Sequence, residues 1–101
     1  MGISTHVLDT AKGRPAAGIA ITLENDGGVI ARGATDADGR LKLIDDPPSP
    51  GTYRIIFDTG GYDPNGFFPR VVIEFIVRDG AQHYHVPLLL SPFGYSTYRG
   101  S

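Results

Sequence analysis

Apolar and polar residues alternate along most of this chain with a period of two, in short runs separated by turn-forming residues. Successive side chains on a strand point to opposite faces, so such alternation marks strands with one face buried. Ile3 to Leu8 is the first β-prone run, and Lys12-Gly13-Arg14-Pro15 breaks it. Ile19 to Glu24 alternates apolar and polar positions and leads into Asn25-Asp26-Gly27-Gly28, residue types that tolerate the positive φ of a tight hairpin. Val29 to Thr35 is the return strand. A second turn, Asp36-Ala37-Asp38-Gly39, leads into Arg40 to Ile44, which the proline-rich Asp46 to Gly51 ends. Thr52 to Phe57 and Val71 to Val77 follow. Between them, Asp58 to Pro69 leaves room for at most one short helix, limited by Asp63-Pro64-Asn65-Gly66. Asp79-Gly80 turns the chain into Gln82 to Leu90, and Ser91-Pro92-Phe93-Gly94 into Tyr95 to Arg99. About eight short strands at near-regular spacing predict an all-β sandwich.

The same period sorts the polar residues by face. On the penultimate strand Tyr84, Val86, Leu88 and Leu90 form the better core face, which turns His83, His85, Pro87 and Leu89 outward. On the first strand Ile3, Thr5 and Val7 are core-like, and Ser4, His6 and Leu8 point out. Ser96 and Tyr98 share a face of the last strand. Were these strands neighbours in one sheet, His6, His85, Ser96 and Tyr98 would converge on its outer surface. The sequence closes on Tyr98-Arg99-Gly100-Ser101, dense in hydrogen-bonding groups directly after a strand. Chain ends fray unless something ties them down, so this tail is expected to be built into a site.

Composition narrows the functional classes. The 101 residues, 41% of them hydrophobic, suffice for one domain over residues 1–101 with a single core. No cysteine is present, which removes disulfides and thiolate chemistry. A net charge of −2 with no basic cluster argues against a nucleic-acid partner. No apolar run reaches the length of a membrane span, and the opening MGISTHVLD lacks the order of a secretory signal, so a cytoplasmic location is expected.

Three pieces of candidate chemistry compete with ordinary structural roles. His83, His85 and His6 could together present three imidazoles to zinc. Asp58-Thr59-Gly60 after an apolar run matches the triplet of dimeric aspartic proteases, but no supporting apolar-apolar-Gly-Arg segment follows. Asp36-Ala37-Asp38-Gly39 has the start of a calcium loop without its later ligands and reads as a turn. Taken alone, His6 would be a surface or structural histidine and Arg40 a solvated turn residue. His83 stays open between a structural and a functional role.

Longer segments carry more information. His6-Val7-Leu8-Asp9 with Gly13-Arg14-Pro15-Ala16, and Tyr84-His85-Val86-Pro87 with Leu89 to Ser96, resemble the two signature segments of the transthyretin family. The ending Tyr98-Arg99-Gly100-Ser101 resembles that of its enzymatic branch, the 5-hydroxyisourate hydrolases of purine degradation. The resemblance runs from Ile3 to Ser101. It implies a transthyretin-like two-sheet sandwich assembled as a homotetramer, a dimer of dimers, whose sites lie in a channel faced by the sheet holding the first, penultimate and last strands. It further implies a metal-free, cofactor-free hydrolysis of the small molecule 5-hydroxyisourate to 2-oxo-4-hydroxy-4-carboxy-5-ureidoimidazoline, with His6, Arg40 and His85 catalytic and Tyr98 and Ser101 shaping the substrate pocket. The alternative on the same fold is a non-enzymatic carrier of a planar ligand. This sequence departs from the family in a shorter, Gly- and Pro-rich stretch between Phe57 and Phe67, and in Arg70 where an acidic residue is usual.

Overall fold

The computed structural model describes residues 2–101. They form nine strands and one helical turn: β1 (Ile3–Asp9), β2 (Arg14–Pro15), β3 (Ala20–Asn25), β4 (Gly28–Ala34), β5 (Arg40–Ile44), β6 (Gly51–Phe57), α1 (Thr59–Tyr62), β7 (Val71–Val77), β8 (Tyr84–Ser91) and β9 (Gly94–Thr97). One sheet runs β2-β1-β8-β9, with β5 paired to the β1 edge that β2 leaves free, and the other runs β4-β3-β6-β7. The first, penultimate and last strands therefore do share a sheet. β1 and β8 are parallel, in register from Ile3 opposite Tyr84 to Asp9 opposite Leu90.

The sandwich follows from alternation. On β1, Ile3, Thr5, Val7 and Asp9 are buried while Ser4, His6 and Leu8 are half-buried; on β8, Tyr84, Val86, Leu88 and Leu90 turn inward. Ile3, Val7, Tyr84, Val86, Leu88 and Leu90 meet Ile21, Leu23, Tyr53, Ile55, Phe57, Val71, Ile73 and Val77 from the opposing sheet in one core. Each such side chain contributes about 1.5–3 kcal/mol when fully buried. The outer face of the second sheet carries a row of ion pairs, with Arg54 between Glu24 and Glu74 on the flanking strands.

Two departures from the sequence reading are local. Arg14-Pro15, read as a break, makes a two-residue strand antiparallel to Leu8-Asp9. The last strand ends at Thr97, short of Arg99, although an isolated bridge between His85 and Gly100 prolongs its register. The middle segment keeps one helical turn, capped by the Asp58 carboxylate accepting from Gly61 N at 3.1 Å. Gly60 fits against Pro69, where a Cβ would lie 2.9 Å from the Pro69 carbonyl oxygen.

Candidate active site

Register builds the site. On the outer face of the first sheet His6 sits directly opposite Arg40 of β5, and Ser4 sits opposite Lys42 on one side and His85 on the other. Three adjacent strands thus present Arg40 and Lys42, Ser4 and His6, and His85 within one cross-strand neighbourhood. Directly opposite residues on neighbouring strands have Cβ atoms about 4.5–5.5 Å apart, which makes this a cluster and not a scatter.

The Asp36–Gly39 turn aims two of these groups. The Asp36 carboxylate accepts from Asp38 N and Arg40 N, each at 2.9 Å, which fixes where β5 starts. Gly39 adopts φ +75°, and a Cβ there would run into the Val7 carbonyl oxygen, so this corner requires glycine. The turn also offers the Asp38 carbonyl to His6 Nε2 at 2.8 Å. A carbonyl only accepts, so His6 Nε2 holds a proton and, in the neutral ring, Nδ1 is left as the basic nitrogen.

Ser4 Oγ lies 2.8 Å from His85 Nδ1 and 2.9 Å from His83 Nε2. The His85 imidazole is therefore oriented from β1, with Nε2 free of hydrogen bonds among the described residues. Its pKa is held below the ordinary 6.5, first by burial and then by His6, His83 and Arg40. The neutral ring is favoured, as an acid–base group working near neutrality requires.

The tail closes the site from above. Gly100 N donates to the His85 carbonyl at 2.8 Å, and Arg99 lies over the Tyr84 ring, 4.6 Å from its centroid, while donating to Gln82. A Cβ at Gly100 would lie 2.6 Å from His85 Cδ2. Pro87, which register places on this outward face, is nonetheless buried beneath Gly100. Ser4, Arg40, Lys42, His83, His85 and Ser101 are among the residues lining a recess of about 320 Å³.

Of the sequence-expected residues, Arg40, His85 and Ser101 line this recess, and His6 stands beside it, close enough to act on His85 through its charge. Ser96 and Tyr98 do not join them. Ser96 pairs with Leu89, four residues along β8 from His85, a separation of about 13 Å on a strand. Tyr98 borders a different recess, of about 260 Å³, beside β7 and β8. The convergence expected from face sorting holds for the histidines and fails for the last strand: Ser96 lies too far along β9, and Tyr98 lies past the end of β9 at Thr97, where strand parity no longer sets its face. Ser4 and Lys42 were not singled out from sequence; Ser4 stands two residues before His6 on the same face, the one signal that pointed to it.

Comparison with known proteins follows the same outline. The sequence profile of the HIUase/Transthyretin family matches residues 3–100. The chain is 48% identical over 119 residues to the "Uric acid degradation bifunctional protein TTL" of Arabidopsis thaliana, covering 98% of this chain but only 37% of that protein. It is 46% identical over 109 residues to the 5-hydroxyisourate hydrolase of Salmonella dublin, covering 98% of this chain and 80% of the relative. Among solved structures it is similar to the 5-hydroxyisourate hydrolase of Klebsiella pneumoniae, with a TM-score of 0.92, 35% identity and full coverage of both chains. It is also similar to sea bream transthyretin in complex with thyroxine, with a TM-score of 0.90 and 34% identity over 99% of this chain and 95% of that one.

Proposed function

Because the chain belongs to the HIUase/Transthyretin family, we propose that it is a hydrolase acting on 5-hydroxyisourate in urate degradation. Backbone similarity does not discriminate here, since a hydrolase and a thyroxine-binding transthyretin match the fold almost equally. The observation that carries the reading is the cross-strand set of His6 opposite Arg40, with His85 one strand over, beside a recess lined by Ser101.

Opening the acyl C–N bond of the ring requires a deprotonated water, a stabilised oxyanion and a proton for the leaving nitrogen. His6, with Nε2 committed to the Asp38 carbonyl, takes the water proton at Nδ1. Arg40, always charged and forked, engages the oxyanion and the oxygen-rich anionic substrate. His85 Nε2 delivers the proton to the leaving nitrogen. Ser101 limits the recess, whereas Tyr98 borders a separate recess of the same protomer. A tetrameric assembly, a dimer of dimers with the first sheet facing the channel, belongs to the same proposal, as does a cytoplasmic location.

The test is the ultraviolet decay of freshly generated 5-hydroxyisourate with and without the protein. Accelerated decay is expected, with His6→Ala and His85→Ala each slower by at least about 10² at unchanged assembly. Arg40→Lys is expected to lose nearly as much as Arg40→Ala, about 10² to 10³, because lysine keeps the charge and loses the fork. No acceleration by the wild-type protein removes the assignment.

A further inference from the structure

Ser4 lies between two imidazoles with one proton to give. Its Oγ is within hydrogen-bond distance of His85 Nδ1 and of His83 Nε2, at 2.8 and 2.9 Å. A hydroxyl donates once, so when it donates to His85 it accepts from His83, and when it donates to His83 it accepts from His85. The first arrangement leaves His85 with its proton on Nε2, able to act as an acid; the second leaves Nε2 bare, able to act as a base. His85 is half-buried under the tail, whereas His83 is exposed. The chain is thus continuous from a covered ring through a hydroxyl to a ring in solvent.

Resting on the hydrolase reading above, we infer that Ser4 and His83 form a proton relay that sets the tautomer of His85 and connects it to solvent. Solvent protonates His83 at Nδ1. As His85 gives its Nε2 proton to the leaving nitrogen, the Ser4 proton passes to His85 Nδ1 and the His83 Nε2 proton passes to Ser4. His83 is left neutral with its proton on Nδ1, and His85 is left neutral with a bare Nε2. Reset runs the same wire backwards. His85 takes at Nε2, through an intervening water, the proton that His6 removed from the attacking water, its Nδ1 proton passes to Ser4, the Ser4 proton passes to His83 Nε2, and His83 Nδ1 returns one to water. No charge is left on the covered ring at either end of the cycle. In this scheme Ser4 and His83 are positioning and relay residues that need not touch substrate.

Two readouts separate this from a structural role. In steady-state kinetics, Ser4→Ala and His83→Gln are expected to lower kcat about tenfold with KM within about twofold. The double variant should be no slower than the worse single one, because either change cuts one wire. Ser4→Thr, which keeps the hydroxyl, should stay within about threefold of wild type. Unchanged kcat in Ser4→Ala, or losses that multiply in the double variant, overturn the relay. The second readout is independent of activity: ¹⁵N chemical shifts of the His85 ring report its tautomer. His83→Gln should alter the His85 tautomer ratio in the wild-type background and have no effect on it in Ser4→Ala. An effect of equal size in both backgrounds overturns the relay even if the protein is an active hydrolase; a lost effect supports it even if 5-hydroxyisourate is not the substrate.

Discussion

At the scale of single residues, the site is a problem of keeping an imidazole neutral among cations. His85 is faced by His83 just before its own strand, by Ser4 and His6 from β1, by Arg40 and Lys42 from β5, and by Gly100 and Ser101 from the tail. Burial is the largest cause of its lowered pKa, with His6, His83 and Arg40 adding to it. The sign follows directly. A histidine whose folded pKa lies below 6.5 binds fewer protons folded than unfolded between the two values. It leaves stability untouched above 6.5 and subtracts from it as pH falls through that window. A ¹H–¹⁵N titration should find the His85 midpoint below 6.5, and His6→Gln should move it upward. A midpoint at or above 6.5 in the wild-type protein would contradict the burial seen here. His6 and His85 were legible in the sequence because a period of two sorts a strand into faces without any knowledge of its neighbours. Ser4 was legible as outward but not as functional, since its importance lies in a register between strands some eighty residues apart in sequence. Ser96 was placed with the histidines by parity alone, which says nothing about distance along the partner strand, and Tyr98 lies past the end of β9, where parity no longer holds.

At the scale of elements, the short helix is fastened where β1 ends. The Asp9 carboxylate accepts from Ala11 N, Lys12 N and, at 2.7 Å, from the Tyr62 hydroxyl. Burial works to raise the Asp9 pKa, but the bonds from Tyr62, Lys12 and Ala11 outweigh it and hold the carboxyl below its ordinary 3.8. Tyr62 is pushed up to about 12, by burial first and then by its bond to Asp9. The depressed carboxyl contributes stability above pH 3.8 that is lost as pH falls through the folded value. The raised phenol contributes stability below its ordinary 10 that is lost as pH rises toward about 12. Tyr62→Phe removes a hydrogen bond to a charged, buried group, and such bonds contribute about 1.5–3 kcal/mol. Urea unfolding at pH 7 should show a loss of that order, shrinking as pH falls below 3.8 through the lowered folded value; an unchanged loss across that range would mean the ring's packing, not the bond, is what matters. Turn chemistry made most strand limits readable to within a residue or two. Arg14-Pro15 was not readable as a strand, because two residues carry no period, and the pairing that defines them comes from β1.

At the scale of the whole molecule, alternation predicted two sheets, but which strands share a sheet came from family resemblance and not from the pattern. Periodicity reports that a face is buried without naming what buries it, and the parallel β1–β8 pairing joins the two ends of the chain. That closure is what brings Ser101 to the recess, with Gly100 against His85 and no room there for a Cβ. Residues appended after Ser101 would begin inside the recess and would project across the outer face of the first sheet, the face proposed to line the channel of a tetramer. The same residues inserted between Asp26 and Gly27 would lie at the hairpin of the other sheet, where Asp26 and Gly27 are exposed. Turnover should therefore fall sharply for an affinity tag after Ser101, by at least about tenfold, and stay near wild type for the hairpin insertion. Sedimentation distinguishes the causes. A tagged protein that keeps the wild-type sedimentation and is inactive has an obstructed recess, whereas one that sediments as a smaller species has lost the proposed assembly. Equal turnover for the two forms would place the tail outside the working site, and with it much of the case for Gly100 and Ser101 as the wall that covers His85.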